Sequence, residues 1–385
     1  MPRRFPLIAL LTLPLLAQTA PQVLKVVGER HKIVLRSDGS VVGWGNVTDG
    51  QLGPVAAIPR VGFQSAGLVT VALPGKAIDV AAGQFASYAL LQDGTVMAWG
   101  RNAGGAANSE LPVGVPGLGG VKQIAAYDRA AFAVLQDGTV RVWGERTYGL
   151  MGDGAIANKT QASGLVYPPQ AVAGAAGVTQ LSAGGGHVLA LTADGRVLTW
   201  GSNYCGALGR APRQETPMDI AAEAPGLSGV VQVAAGNGVS TVLKGDGTVW
   251  VWGCNWHGQF GNGMRTDPPG MNSGWELTPR PVAGVANVTA IAVGLTGRHT
   301  LALRKDGSLI GWGNTDWGQI GAGATAQFQP KPVVPKIAGV KAVWAVGNNS
   351  FAVRADGSFW IWGLGGRNEW PLQGNARIPQ RLDLP

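Results

Sequence analysis

Val188-Leu189-Ala190-Leu191-Thr192-Ala193-Asp194-Gly195-Arg196-Val197-Leu198-Thr199-Trp200 carries the clearest structural signal in the chain. Two apolar runs flank a single Asp-Gly pair, which is a strong short-range signal for a β-hairpin. The expected turn is type I′, because Asp tolerates the positive φ that this turn needs and Gly meets no steric objection to it. Other runs, such as Val249-Trp250-Val251-Trp252, are apolar at every position. A sheet with one wet face would alternate, so these runs predict strands packed on both faces.

The same phrase occurs seven times. Asp-Gly pairs begin at Asp38, Asp93, Asp137, Asp194, Asp246, Asp306 and Asp356, and a tryptophan stands six residues after each aspartate. Those tryptophans are Trp44, Trp99, Trp143, Trp200, Trp252, Trp312 and Trp362. Successive aspartates lie 55, 44, 57, 52, 60 and 50 residues apart, so the internal spacing is fixed while the connections vary. A fixed phrase at this period is the signature of a repeat architecture. A second phrase of small residues precedes each hairpin, as in Ala81-Ala82-Gly83 and Ala234-Ala235-Gly236. It predicts the strand nearest an axis, where wedge-shaped blades crowd, with the tryptophans as structural residues filling the wider space between blades.

Segments such as Trp252-Gly-Cys-Asn-Trp-His-Gly-Gln-Phe-Gly261 and Trp312-Gly-Asn-Thr-Asp-Trp-Gly-Gln-Ile-Gly321 resemble the signature of the regulator of chromosome condensation repeat family. The resemblance covers residues 21–385 and implies an all-β, seven-bladed β-propeller with four-stranded blades. Repeats of the WD type run shorter and end in Trp-Asp, which this chain lacks. A proline-led segment precedes most of the small-residue strands, as in Thr278-Pro-Arg-Pro-Val282, and the tail Ile378-Pro-Gln-Arg-Leu382 is such a segment with nothing after it. The expectation is that this C-terminal strand pairs with the N-terminal blade and closes the ring, leaving no open edge.

The chain begins with Arg3 and Arg4, an apolar stretch from Phe5 to Ala17, and small residues up to Ala20 before Pro21. That layout predicts a secretory signal peptide over residues 1–20. The mature chain is then one domain over 21–385, secreted or periplasmic, an exported member of bacterial type. Of 385 residues, 61 are glycine, 45% are hydrophobic and 14% are charged, which provides a core and excludes a disordered chain. Without Arg3 and Arg4 there remain 28 basic residues against 22 acidic ones, scattered rather than gathered as a nucleic-acid groove requires. Neither nucleic acid nor membrane insertion of the mature chain is expected, and the chain reads as a monomer.

Chemistry is sparse. His31, His187 and His299 share one repeat position in blades one, four and six, and are read as hydrogen-bonding within their own blades. Dispersed around a ring, they cannot converge on a metal ion. Cys205 and Cys254 follow Trp-Gly in adjacent repeats at different offsets, and either a disulfide or two inert thiols is open. No nucleophile elbow, zinc-protease helix or phosphate-cradling loop is present, so no catalytic residue, metal or cofactor is assigned.

Aromatic residues stand out instead. Tyr148, Tyr204, Trp256 and Trp317 follow Trp-Gly in repeats three to six, and Trp275 and Trp370 come from longer insertions. His257, Arg265, Asp267, Asp316 and Arg367 adjoin them as a polar rim. Two readings stand: packing within the propeller, or an arc that binds a partner, for which Trp, Tyr and Arg are the usual hot-spot residues. The function expected is a non-catalytic scaffold binding a protein or surface polymer through loops on one face. Alternatives are a secreted inhibitor similar to propeller-type β-lactamase inhibitory proteins and a polysaccharide- or peptide-acting enzyme at the axial mouth. Nucleotide exchange, which the family resemblance implies, conflicts with export.

Overall fold

The computed structural model describes residues 21–101, 108–154, 165–210, 218–265, 275–296, 298–365 and 371–384. Seven four-stranded antiparallel sheets follow one another along the chain, and a two-stranded hairpin, Arg60–Val61 with Gln64–Ser65, is inserted in the first. Blade 4 is representative, with strands Val178–Gly184, His187–Thr192, Val197–Gly201 and Ala222–Glu223. First strands of neighbouring blades touch one another around the ring, so the small-residue strand is the innermost one, as expected.

The hairpin turns differ from type I′. Gly39 has φ 82°, but Asp38 is not among the residues with positive φ, and the six equivalent aspartates behave alike. Gly39 N–H donates to Arg36 O and Arg36 N–H to Ser40 O, both at 3.0 Å, which describes a type I turn closed by a glycine bulge. The aspartate is kept for a different reason. Outside blade 4 its carboxylate accepts from the main-chain N–H two residues on, at 2.9 Å from Ser40 in blade 1, and from the Ser or Thr hydroxyl there, whereas Asp194 accepts from Thr192 Oγ1 and, at 2.7 Å, from Arg196 Nε. Such side-chain and main-chain hydrogen bonds hold all seven carboxyl groups below the usual aspartate range.

The seven tryptophans lie in the seams. Trp99, Trp143, Trp200, Trp252, Trp312 and Trp362 have no exposed surface and Trp44 is 4% exposed. Each packs on the preceding blade: Trp200 on Phe132 and Leu150, Trp143 on Tyr88, Trp44 on Phe351 of blade 7. The glycine after each tryptophan is required, because at Gly201, with φ 100°, a Cβ would sit 2.6 Å from Gly186 O.

Ring closure departs from expectation. The C-terminal strand Ala376–Arg381 pairs with Phe359–Gly363 and completes blade 7; it does not join the N-terminal blade. Blade 1 is complete in itself, its fourth strand being Val69–Thr70. The proline-led segments are therefore outer fourth strands of the preceding blade, as Trp275–Pro281 shows by pairing with Val249–Cys254. An outermost strand can turn its non-donating positions to solvent, which is where proline is tolerated in a sheet. Closure between blades 7 and 1 rests on side-chain packing, with Val23, Val26 and Trp44 sharing a core with Phe351 and Trp362.

A polar belt near the axis adds to that packing. Gln123 exchanges two hydrogen bonds with the main chain of Leu181 in the next blade, at 2.9 and 3.1 Å. Gln232 does the same with Ile291, at 2.8 Å each way, and Gln180 accepts from Val233 N–H at 2.9 Å. In blade 2 the equivalent Asp79 pairs with Lys25 of blade 1 and accepts from Ile124 N–H of blade 3. Blades 6 and 7 carry Ala290 and Ala342 at this position, so their side chains add nothing to the belt.

Candidate partner-binding face

Antiparallel order fixes which loops share a face. First-to-second turns and third-to-fourth loops emerge on one side, and the Asp-Gly hairpins and blade-to-blade connections on the other. Tyr148, Tyr204, Trp256 and Trp317 all belong to third-to-fourth loops, so the structure places them on one face in four consecutive blades. Tyr148 is 53% exposed, Tyr204 50% and Trp317 40%, while Trp256 is half-buried. Tyr204 and Trp256 meet edge to face with ring centroids 5.6 Å apart. Tyr148 reaches over the first turn of blade 4, where a Cβ at Gly186 would lie 3.1 Å from its ring. Tyr148, Tyr204 and Trp256 are thus packed in part and exposed in part.

The neighbouring residues are fixed by contacts. Cys205 and Cys254 form a disulfide with Cα atoms 5.1 Å apart, tying the blade 4 loop to the third strand of blade 5. The bridge forms despite the unequal offsets, with Cys205 at positive φ, 58°. The bridge therefore lies beside both Tyr204 and Trp256. Trp275 opens the fourth strand of blade 5 opposite Cys254, half-buried. His257 packs on Phe328 and its Nε2 accepts from Arg298 Nη1 at 3.2 Å, since an arginine only donates. Burial first, then Arg298 and Arg265, pull its pKa down to about 4, so it is a neutral acceptor at neutral pH. Arg265 lies over the Phe328 ring at 4.6 Å, and Asp316 O accepts from Arg377 at 3.2 Å. Asp267, Arg367 and Trp370 lie outside the described residues.

The other three histidines bond across the seam to the next blade, and His187 also meets the main chain of Gly185 in its own. Nε2 of His31, His187 and His299 meets the hydroxyl of Ser87, Ser240 and Ser350 in the next blade, at 2.7, 2.8 and 2.8 Å. Each serine then donates to a carbonyl in the loop of the first blade, Gln51, Ala207 or Gln319. The same carbonyl accepts the indole N–H of the next blade's tryptophan, Trp99, Trp252 or Trp362. Burial takes His31 down to about 3 and His187 to about 4, so they are neutral seam residues. Among the described residues no group of three or more His, Cys, Asp or Glu is placed to hold a metal ion.

A family model described as the RCC1-like domain matches residues 104–384, and one for the regulator of chromosome condensation repeat matches residues 77–105. The chain belongs to the RCC1-like domain family. This RCC1-like chain is 29% identical over 350 residues to the mitochondrial RCC1 domain-containing protein RUG3 of Arabidopsis thaliana, covering 83% of this chain and 76% of the relative. It is also 29% identical over 353 residues to the ultraviolet-B receptor UVR8 of the same plant, covering 88% and 76%. Among solved structures, Prp20p of Saccharomyces cerevisiae, described with its binding to Gsp1p and histones, superposes with a TM-score of 0.73 at 24% identity, covering 94% of this chain and 88% of that one. The seven-bladed all-β propeller expected from the repeat is thus the fold. The plant relatives lend no support to an exported bacterial type, and residues 1–20, which would carry the leader, lie outside the described residues.

The same face of this RCC1-like propeller holds a second cluster that the repeat phrase does not mark. Phe85, in the first turn of blade 2, is ringed by the guanidinium groups of Arg30, Arg101 and Arg129 at 5.6, 5.6 and 5.0 Å from its centroid. Arg129 is paired with the buried Glu145 at 2.9 Å. Glu29 and Asp128 lie close enough to repel, and burial first, then that repulsion for Glu29, holds both above the usual carboxylate range. On this face three arginines thus gather around Phe85 over blades 1–3, beside the aromatic residues of blades 3–6. The charged residues escape a sequence reading because they sit in turns that the repeat does not constrain.

Proposed function

We propose that this chain is an exported binding protein whose loop face holds a protein partner across the arc Tyr148–Tyr204–Trp256–Trp317. One observation carries the reading: four aromatic residues at equivalent places in consecutive blades, three of them 40–53% exposed. RCC1-like propellers are in general protein-binding scaffolds, as the binding of Prp20p to Gsp1p and histones illustrates for that protein. Rigid aromatic rings give large contact area at small entropic cost, and half-packed rings are already ordered before a partner arrives. Export is supported by the Cys205–Cys254 bridge, since disulfides persist in oxidising compartments, and by the leader-like first twenty residues. A monomeric, non-catalytic protein accords with this reading.

The test is photo-crosslinking in the host envelope and medium from a reactive residue placed at position 204, 317 or 246. The first two lie on the loop face and the third in an Asp-Gly hairpin opposite. A common protein adduct at 204 and 317, absent at 246, is expected; an adduct at 246 alone would overturn the assignment of the face. A second reading, an enzyme at the axial mouth, rests on Glu29 and Asp128, whose raised carboxyls would suit a general acid. Hydrolysis of a peptide or polysaccharide that is lost in both Glu29→Gln and Asp128→Asn would favour it over binding.

A further inference from the structure

The loops that follow the seam tryptophans are held in two different ways. In blades 1, 5 and 6 a buried glutamine stands seven residues after the tryptophan: Gln51, Gln259 and Gln319. Its Oε1 accepts the main-chain N–H two residues earlier, from Asp49, His257 and Trp317, at 2.9, 2.7 and 2.9 Å. One hydrogen bond therefore fixes the fifth residue after the tryptophan, and in blade 6 that residue is Trp317 of the arc. Blades 3 and 4 carry Leu150 and Ala207 in place of the glutamine, and neither side chain can accept a hydrogen bond. There the fifth residue turns to positive φ, 55° at Tyr148 and 58° at Cys205, which Asp49, His257 and Trp317 do not.

In blade 4 the residue left without that hydrogen bond is the one that carries the disulfide. Cys205 joins Cys254 in the third strand of blade 5, and both are buried. Tyr204 precedes Cys205 directly, Trp256 follows Cys254 by two residues, and the two rings meet edge to face. The loop also leans on blade 5, where a Cβ at Gly206 would clash with Leu277. Asn203 Oδ1 accepts from Leu208 N–H at 3.0 Å, much as Asn255 Oδ1 accepts from Phe260 N–H at 2.9 Å, so the far side of the loop keeps the anchor used in blade 5. The Tyr204–Cys205 side is the part that the covalent bond holds. A glutamine works in any redox state, whereas a disulfide works only while it stays oxidised.

We propose that the Cys205–Cys254 bond is a redox-dependent lock on the aromatic arc, standing where blades 1, 5 and 6 use glutamine, so that reduction frees Tyr204 and weakens partner binding while the propeller stays folded. The binding part rests on the arc being the partner face; the lock itself does not. A dithiol such as dithiothreitol breaks the S–S bond, delivers two electrons and two protons to the two sulfurs, and leaves as its own cyclic disulfide. Hydrogen exchange of the purified protein, oxidised and reduced, tests the lock. The amides of Gly206 and Ala207, which donate to Asn203 O and Tyr204 O, should exchange about tenfold faster after reduction. Those of Gly318 and Gly321 in the blade 6 loop should not change. The pair Cys205→Ala and Cys254→Ala should match the reduced protein without needing a reductant to reach the buried sulfurs. Adding Ala207→Gln to that pair should restore slow exchange. For binding, the adduct from a photo-reactive residue at 317 should fall about fivefold in the cysteine-free variant, because a pre-ordered ring is lost. Unchanged exchange in the paired variant, acceleration spread equally over all blades, or no recovery with Ala207→Gln would overturn the lock. Equal adduct yield with and without the cysteines would overturn its effect on binding. No adduct even from the oxidised protein would count against the arc itself, with hydrogen exchange still deciding the lock.

Discussion

Replacing Trp200 and Trp252, one at a time, by phenylalanine separates the packing of the seam from its hydrogen bonding. Both indoles have no exposed surface, so each change removes a similar ring volume and leaves a similar cavity. Their acceptors differ. The Leu150 carbonyl accepts from Trp200 Nε1 at 3.1 Å and, among the described residues, from nothing else. The Ala207 carbonyl accepts from Trp252 Nε1 at 2.8 Å and also from Ser240 Oγ at 2.7 Å. Trp200→Phe thus orphans a buried carbonyl, at about 1–3 kcal/mol, whereas Trp252→Phe leaves its acceptor satisfied. Trp200→Phe should be the more destabilising by about 1 kcal/mol, even though its hydrogen bond is the longer one. Urea unfolding followed by far-ultraviolet circular dichroism provides the comparison. Adding Ser240→Ala to Trp252→Phe should cost about 1 kcal/mol beyond the sum of the single changes, since the last donor to Ala207 is then gone. Equal costs for the two tryptophans, a greater cost at Trp252, or strict additivity of the pair would mean that the second donor to Ala207 does not protect the seam.

Three further outcomes follow from the geometry. His31 and His187 are buried at about 3 and about 4, below an unfolded value of about 6.5, so the unfolded chain takes up protons first as pH falls. Stability should be full above about pH 6.5 and decline from there toward pH 4, by about 1.4 kcal/mol per pH unit for each histidine. Melting temperatures across that window check it, and His187→Gln should flatten the slope. Replacing Cys205 and Cys254 by serine, which opens a loop of 49 residues, should cost about 2–4 kcal/mol in denaturant unfolding. Deleting residues 376–385 removes only the fourth strand of blade 7, so hydrogen exchange should rise in blade 7 and its seams while blades 3–5 stay protected.

The fold is legible in the sequence because its two cues are local. Asp-Gly followed at a fixed distance by Trp-Gly dictates hairpin and seam together, and the seven tryptophans lie where the repeat puts them. The turn type is not legible, because a type I turn with a bulge and a type I′ turn both want Asp-Gly, and only φ at the aspartate distinguishes them. Closure is ambiguous for a similar reason, since a proline-led strand can be counted with the blade before or after it. The histidine partners are visible in principle. His occurs in repeats one, four and six and Ser at the next position in repeats two, five and seven, a complementarity between blades that a search within each blade overlooks. The loop aromatics can be picked out but their exposure cannot, because it depends on how each ring leans on the next blade's turn. The arginines around Phe85 come from three separate blades, and no linear pattern joins them.

Whether the aromatic arc holds the partner is decided by affinity capture from the host envelope and medium with three baits: the unaltered protein, a loop-face variant and an opposite-face variant. The loop-face variant carries Tyr148→Ala, Tyr204→Ala and Trp317→Ala; the other carries Leu24→Ala, Ile78→Ala and Val231→Ala, exposed residues at the opposite mouth. All three baits are first matched for thermal unfolding. One protein should be retained by the unaltered and opposite-face baits and lost from the loop-face bait. Retention by the loop-face variant, or loss from the opposite-face variant instead, would contradict a binding face built on the arc.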